Sequence, residues 1–369
     1  MLLGIHYMRG IAALIVVLFH FRGLLNNVYA DANLGRNLLQ SGASGVDIFF
    51  MISGFIIMVA SASKEANRPG SFLTRRVFRV YPALIICWVV GCLTIYSNQP
   101  AVELLKSVVP LNKDYNMPAP TFGFNLMGPP WTLTYEILFY AVFCLAISIS
   151  HKHRALLASA ILVTSIVSLN LIFNGSVELS AAKTLDLPTT SQWAGILKML
   201  SSTYLLEFVV GMMFASFYMN KSIVIPRAPA LAYFWACLGL FVVMFAANYK
   251  PGFGPQGYGI RAIVLVSGVV VLEKANVEIF KSSILSFLGD ISYSMYISHF
   301  LIIKILLKYN PPIWSDTLGF SRMLLATVIT IFVATIIYNF VEKPFIRIGK
   351  NLHNKYFQRN MVTTRLQVT

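Results

Sequence analysis

The chain has 369 residues, of which 57% are apolar and only 12% charged, and its formal net charge is +15. A soluble domain carries about 25% charged residues, so this composition excludes an ordinary soluble globule and points to an integral membrane protein. The excess of Lys and Arg clusters in short interhelical segments and the C-terminal tail, where membrane orientation places it, so no nucleic-acid partner is expected.

Apolar runs predict ten membrane-spanning helices, with approximate limits 8–25, 46–63, 83–98, 131–150, 154–174, 199–219, 230–247, 258–273, 284–307 and 321–341. There is no internal repeat, low-complexity tract or soluble domain. The expected fold is an all-α, polytopic membrane helix bundle of about ten transmembrane helices. Residues 1–345 are expected to form the membrane domain and 346–369 a basic tail. The richest basic segments are Lys64, Arg68, Arg75, Arg76 and Arg79 after span two, and Lys343, Arg347, Lys350, Lys355, Arg359 and Arg365 at the end. Both termini are therefore expected in the cytoplasm. Ala30-Asp31-Ala32 resembles a signal-peptide cleavage site. The region before the first apolar run carries little positive charge, however, and about ten residues separate that run from the site, which argues against cleavage.

The first span carries Arg9 and His20, an Arg-x10-His pair bracketing an apolar run. Eleven helical residues turn through about 1100°, so both side chains share one face to within about 20°, roughly 16 Å apart along the axis. Arg9 is expected near one surface and His20 at depth or past the middle of the bilayer. A titratable base held there suggests chemistry inside the membrane.

Span two opens Gly45-Val-Asp47, and Asp47 reads either as a contact to an acceptor hydroxyl or as an acid at a helix N-terminus. The next basic segment places Arg75 and Arg79 at i, i+4 and Arg76 and Arg79 at i, i+3. Three guanidiniums on one flank suit phosphates through bidentate hydrogen bonds, although any inner loop is basic.

Span four opens Pro129-Pro130-Trp131 and carries Glu136, with Thr132 and Tyr140 at i±4 on the same face. Glu136 lies roughly 7 Å along the helix from Trp131. It reads either as a structural carboxylate or as the group that orients His20 and stabilises its protonated ring. In span nine, Ser292, Tyr296 and His299 fall at i, i+4, i+7 and form a polar stripe that lines a channel or joins helices. The four cysteines lie in apolar runs with no metal spacing. There is no H-E-x-x-H, Walker or G-x-S-x-G sequence.

Six segments, in order, resemble the acyltransferase-3 family of integral-membrane O-acyltransferases. They are Arg9-x10-His20, G-V-D-I-F-F-M-I-S-G-F at 45–55, R-R-V-F-R-V-Y-P at 75–82, W-T-L-T-Y-E at 131–136, S-Y-S-M-Y-I-S-H at 292–299 and E-K-P at 342–344. The branch that modifies exopolysaccharide or lipopolysaccharide is the nearer match, since only a basic tail comes after span ten. The resemblance implies a bacterial inner-membrane enzyme that transfers an acyl group, usually acetyl, from cytoplasmic acyl-CoA to a glycan hydroxyl. His20 would be the general base and Glu136 its orienting partner. Arg9, Arg75, Arg76 and Arg79 would hold the CoA phosphates. Asp47, Tyr140, Tyr296 and His299 would face the substrate, and no metal would take part. The glycan would remain outside, and only the acyl group would cross. A transporter or flippase for lipid-linked sugars is the alternative, because intramembrane Arg, His and Glu also serve proton relays. The two-fold hydropathy symmetry common in transporters is absent here.

Overall fold

The computed structural model describes residues 2–62, 69–187 and 192–355. Lys64, Arg68, Arg359 and Arg365, which contribute to the charge pattern, lie outside the described residues. Among the described residues the architecture is entirely helical, apart from an isolated bridge between Asn125 and Gly128. In chain order the helices are α1 Leu3–Phe21, α2 Leu34–Leu39, α3 Gly45–Ala60, α4 Pro69–Thr94, α5 Ala101–Val108, α6 Trp131–Ile149, α7 Arg154–Asn174 and α8 Gln192–Leu200. They continue with α9 Leu206–Met219, α10 Arg227–Ala246, α11 Tyr258–Lys274, α12 Ser283–Tyr309, α13 Pro312–Ser315, α14 Gly319–Ile337 and α15 Lys343–His353.

Helix occupies all ten predicted spans, but not all ten have a spanning helix's length. Eight described helices are long and apolar enough to cross a membrane, or nine when a bent pair is counted as one span. The helix at the predicted eighth span, α11, has 17 residues. That is roughly 26 Å, short of a core about 30 Å thick. The predicted sixth span is the bent pair: α8 and α9 meet at 55° across Ser201-Ser202-Thr203. Ser202 caps the new turn by accepting the Tyr204 N–H, a local bond that competes with helix continuation.

Two boundaries move in ways that matter for the site. α4 begins at Pro69, well before the predicted start at 83, so the arginine segment forms its opening turns. Pro82 lies inside this helix. α1 begins at Leu3 and ends at Phe21, followed by a 3-10 turn over Arg22–Leu25. His20 therefore stands in the last turn of α1.

The buried centre is built from α1, α3, α6, α9 and α12. Outer helices turn large side chains away from it: Leu171 on α7, Val243 on α10 and Phe332 on α14 are all exposed, as a lipid-facing surface requires. Close helix approach rests on small residues, the usual device where water cannot drive association. A Cβ on Gly10 of α1 would stand 2.6 Å from the Gly289 nitrogen and 2.7 Å from the Leu288 carbonyl carbon of α12. Similarly, Gly54 of α3 meets the backbone of Phe208, and Gly211 of α9 meets that of Met51.

The chain leaves α14 through a π-helical turn at Tyr338–Glu342 and then forms α15. α15 lies against the start of α4: a Cβ on Gly349 would be 2.7 Å from Phe78 Cβ. The expected boundary between membrane domain and tail, at 345/346, thus falls inside a helix that packs on the bundle.

Candidate active site

One end of the bundle is basic. A cavity of about 560 Å³ opens there, lined by Arg75, Arg76 and Arg79 of α4, Arg9 of α1, Glu136 of α6 and Lys350 of α15, among others. The helical spacing read from the sequence puts the α4 guanidiniums on one wall, and each is half-buried. Arg79 pairs with the buried Glu342 at 3.6 Å, and the second Glu342 oxygen accepts the Ser294 hydroxyl at 2.7 Å. Arg9 Nη2 donates to Ser292 Oγ at 3.0 Å. Arg76 stands 5.5 Å from the ring centres of Phe72 and Tyr140. Among the described residues, no ion pair engages Arg75 or Arg76. Glu136 accepts hydrogen bonds from Ser53 Oγ at 2.8 Å and from the Tyr140 hydroxyl. Among the described residues it is the only carboxylate lining this cavity. Cations in excess, held by rings, hydroxyls and one buried acid, suit an incoming polyanion.

The second cavity, about 380 Å³, is lined by His20, Trp131, Phe300, Arg22 and Lys304 among others. Tyr296 and Val46 line both cavities and form their common wall. The Tyr296 hydroxyl is tied to Thr132 Oγ1 at 2.8 Å and to the Pro129 carbonyl at 3.2 Å.

The hydrogen bonds around His20 define its tautomer. His299 is fully buried, with Nδ1 2.7 Å from the Tyr296 carbonyl oxygen. A carbonyl can only accept, so His299 Nδ1 carries the proton and its Nε2 has the lone pair. That Nε2 is 3.1 Å from His20 Nδ1, which is also 2.9 Å from the Val16 carbonyl oxygen. By the same reasoning His20 Nδ1 is the donor, shared between two acceptors. His20 Nε2 is left as the lone-pair nitrogen, which is the arrangement a general base requires.

The sequence-predicted residues therefore divide into groups. Arg9, Arg75, Arg76, Arg79, Glu136, Tyr140 and Tyr296 line the basic cavity, and His20 joins Tyr296 at the other. His299 stands behind His20 as its hydrogen-bond partner. The expected contact between His20 and Glu136 is not formed; each has other partners. Asp47 lines neither cavity. It is fully buried in the first turn of α3, accepting the Gly254 N–H at 2.9 Å and the Tyr204 hydroxyl at 3.3 Å. This corresponds to the helix-terminal reading of Asp47.

Sequence reasoning missed Lys350, Lys304 and Arg22 as cavity-lining residues, and had Ser53 and Glu342 only as parts of motifs. A lysine inside the apolar run of span nine was the available signal for Lys304. Among the described residues, no group of three or more His, Cys, Asp or Glu could hold a metal ion.

Residues 2–339 match the acyltransferase-3 family, described as an acyltransferase domain, and the chain belongs to that family. With its helical bundle it is a membrane acyltransferase. It is 30% identical over 319 residues to the exopolysaccharide production protein ExoZ of Rhizobium meliloti (strain 1021), covering 84% of this chain and 91% of that one. It is 23% identical over 372 residues to the acyltransferase MdmB of Streptomyces mycarofaciens, covering 92% and 90% respectively. No solved structure matches the chain.

Proposed function

We propose that the protein transfers an acyl group, acetyl in the first instance, from acyl-CoA to a hydroxyl of a cell-surface or lipid-linked glycan. ExoZ, named for exopolysaccharide production, supports the polysaccharide class. The observation that carries the reading is the pair of cavities meeting at Tyr296 and Val46, with an excess of cations on one side and His20 on the other.

The basic end faces the cytoplasm in this reading, as the charge pattern favours, with both termini on that side. Arg75, Arg76 and Arg79 hold the phosphates of CoA, and Arg9 and Lys350 complete the cradle. The pantetheine arm runs toward Tyr296, a path of the same order as the roughly 16 Å rise from Arg9 to His20. The glycan hydroxyl enters the second cavity. His20 Nε2 takes its proton as the hydroxyl oxygen attacks the thioester carbonyl. As the C–S bond breaks, the proton passes to the departing thiolate, and the products are the ester and free CoA. His299 and the Val16 carbonyl hold the His20 ring in the tautomer that keeps Nε2 free. Glu136 acts at the other end, balancing the arginine cluster and fixing Tyr140 beside Arg76.

The test is acyl transfer from labelled acetyl-CoA to an exopolysaccharide fragment by purified protein in liposomes. Transfer by the wild-type protein, lost in His20→Ala while acetyl-CoA still binds, is the expected result. Normal turnover in that variant would remove His20 from the mechanism.

A further inference from the structure

The second cavity carries more charge than a neutral sugar needs. It is lined by two cations, Arg22 and Lys304, and, among the described residues, by no Asp or Glu. Each cation is half-buried and held by neutral groups. Arg22 Nη1 donates to the Phe19 carbonyl at 2.6 Å, and its guanidinium lies 3.9 Å from the centre of the Phe19 ring. Lys304 Nζ donates to the Tyr96 hydroxyl at 3.3 Å and lies 4.8 Å from the Phe300 ring centre. Neither takes part in an ion pair among the described residues. Lys308, one turn beyond Lys304, is different: it is exposed, donates to the Thr94 carbonyl and lies outside the cavity. Lys308 is an ordinary lysine at a helix end, reaching for water. Arg22 and Lys304 are instead part of the wall of an aromatic chamber that also holds His20. Cations kept half out of water without a carboxylate are complemented by an anionic ligand.

We propose that this cavity selects an acceptor bearing an anionic group, a carboxylate or a phosphate, next to the hydroxyl that is acylated. Arg22 and Lys304 bind the anion, and the faces of Trp131 and Phe300 flank the sugar ring. The anion has two sources: a uronate within the glycan, or the diphosphate of a lipid carrier on which the sugar is built. The proposal rests on the acyl-transfer reading and adds the charge of the acceptor to it.

Three acceptors decide the matter: a uronate-bearing oligosaccharide, its carboxyl-reduced neutral counterpart, and a neutral sugar on polyprenyl diphosphate. Each is assayed in liposomes with wild type, Arg22→Gln, Lys304→Gln and Lys308→Gln. An anionic acceptor should show a KM raised about tenfold or more in Arg22→Gln and Lys304→Gln, as expected for a lost charged hydrogen bond. Its kcat at saturation and the KM for acetyl-CoA should be close to wild type, and Lys308→Gln should be unaffected. The neutral counterpart should be a poor acceptor whose KM none of the variants changes. Whichever anionic acceptor responds identifies the source of the charge. Equal use of neutral and anionic acceptors by wild type would overturn the proposal. So would a fall in kcat on all acceptors at unchanged KM, since the cations would then serve the reacting carbonyl. If wild type transfers no acyl group, the functional reading fails by itself. Equilibrium binding of all three acceptors to purified wild type and Lys304→Gln then decides this inference: equal binding of the neutral and both anionic acceptors, unchanged in the variant, would sink it.

Discussion

The two cavities share a wall but obey different rules. At the basic end the charged groups come from four helices and are held by ring faces, hydroxyls and one ion pair, Arg79 to the buried Glu342. At the His20 end the central contact is between two imidazoles, each locked by a backbone carbonyl one helical turn away. A flexible polyanion needs charge and room. A proton transfer needs one nitrogen in one place with one tautomer. In the proposed reaction, binding and chemistry are therefore separable, and single substitutions should perturb them with very different force.

The largest effect should come from His20→Ala. Transfer is expected to fall by on the order of 10²- to 10⁴-fold, the usual cost of losing a general base. Acetyl-CoA binding, measured by titration, should be nearly unchanged because His20 does not line the basic cavity.

Next is a pair of double-mutant cycles on transfer rate. His299→Ala should slow transfer by roughly 10- to 100-fold, and combining it with His20→Ala should add little, because the two act as one unit. Glu136→Gln combined with His20→Ala should give nearly additive losses. Additive behaviour for the histidines, with coupling to Glu136, would invert the assignment made from the hydrogen bonds.

Arginine variants should act on the donor. Arg75→Ala and Arg76→Ala should each raise the acetyl-CoA KM by about tenfold with a smaller change in kcat, and Lys should rescue only in part. Arg79→Ala should do this and also lower the melting temperature, because Glu342 is buried and loses its ion-pair partner. Restoring stability with Glu342→Gln in the Arg79→Ala background would separate the two effects. Unchanged KM in all three would reduce these arginines to topology signals.

The smallest effect belongs to Lys350→Gln. This exposed residue at the cavity mouth should change the donor KM by about two- to threefold, and the change should shrink at high salt.

Much of this was legible in the chain. Apolar runs located all ten helical segments, and i, i+3 and i, i+4 spacing put three arginines on one wall. What was not legible depends on how helices cross. The depth of Glu136 along α6 gave no indication of which neighbour its carboxylate meets, and it meets Ser53 of α3. Conversely, His299 finds His20 because α1 and α12 touch backbone to backbone at Gly10 and Gly289, which hydropathy does not encode. Asp47 was ambiguous for the same reason: the loop carrying Gly254 arrives from over two hundred residues away. The break between α8 and α9 was missed because Ser and Thr are tolerated within apolar helices and end them only in a particular context.

The π-helical turn at Tyr338–Glu342 has a consequence for how the C-terminal helix is aimed. A π turn holds one residue more than the α-helix it interrupts, so the next helix is rotated by about 100° relative to an uninterrupted one. Glu342 ends this turn and points inward at Arg79 and Ser294. α15 then leaves with Ile346, Lys350 and His353 on the cavity and Arg347 and Ile348 exposed. Removing a single residue from the turn would preserve every amino acid of α15 while swinging its cavity side away. The phase of one helix, set by a count of one, decides whether Lys350 lines the basic cavity or turns away from it.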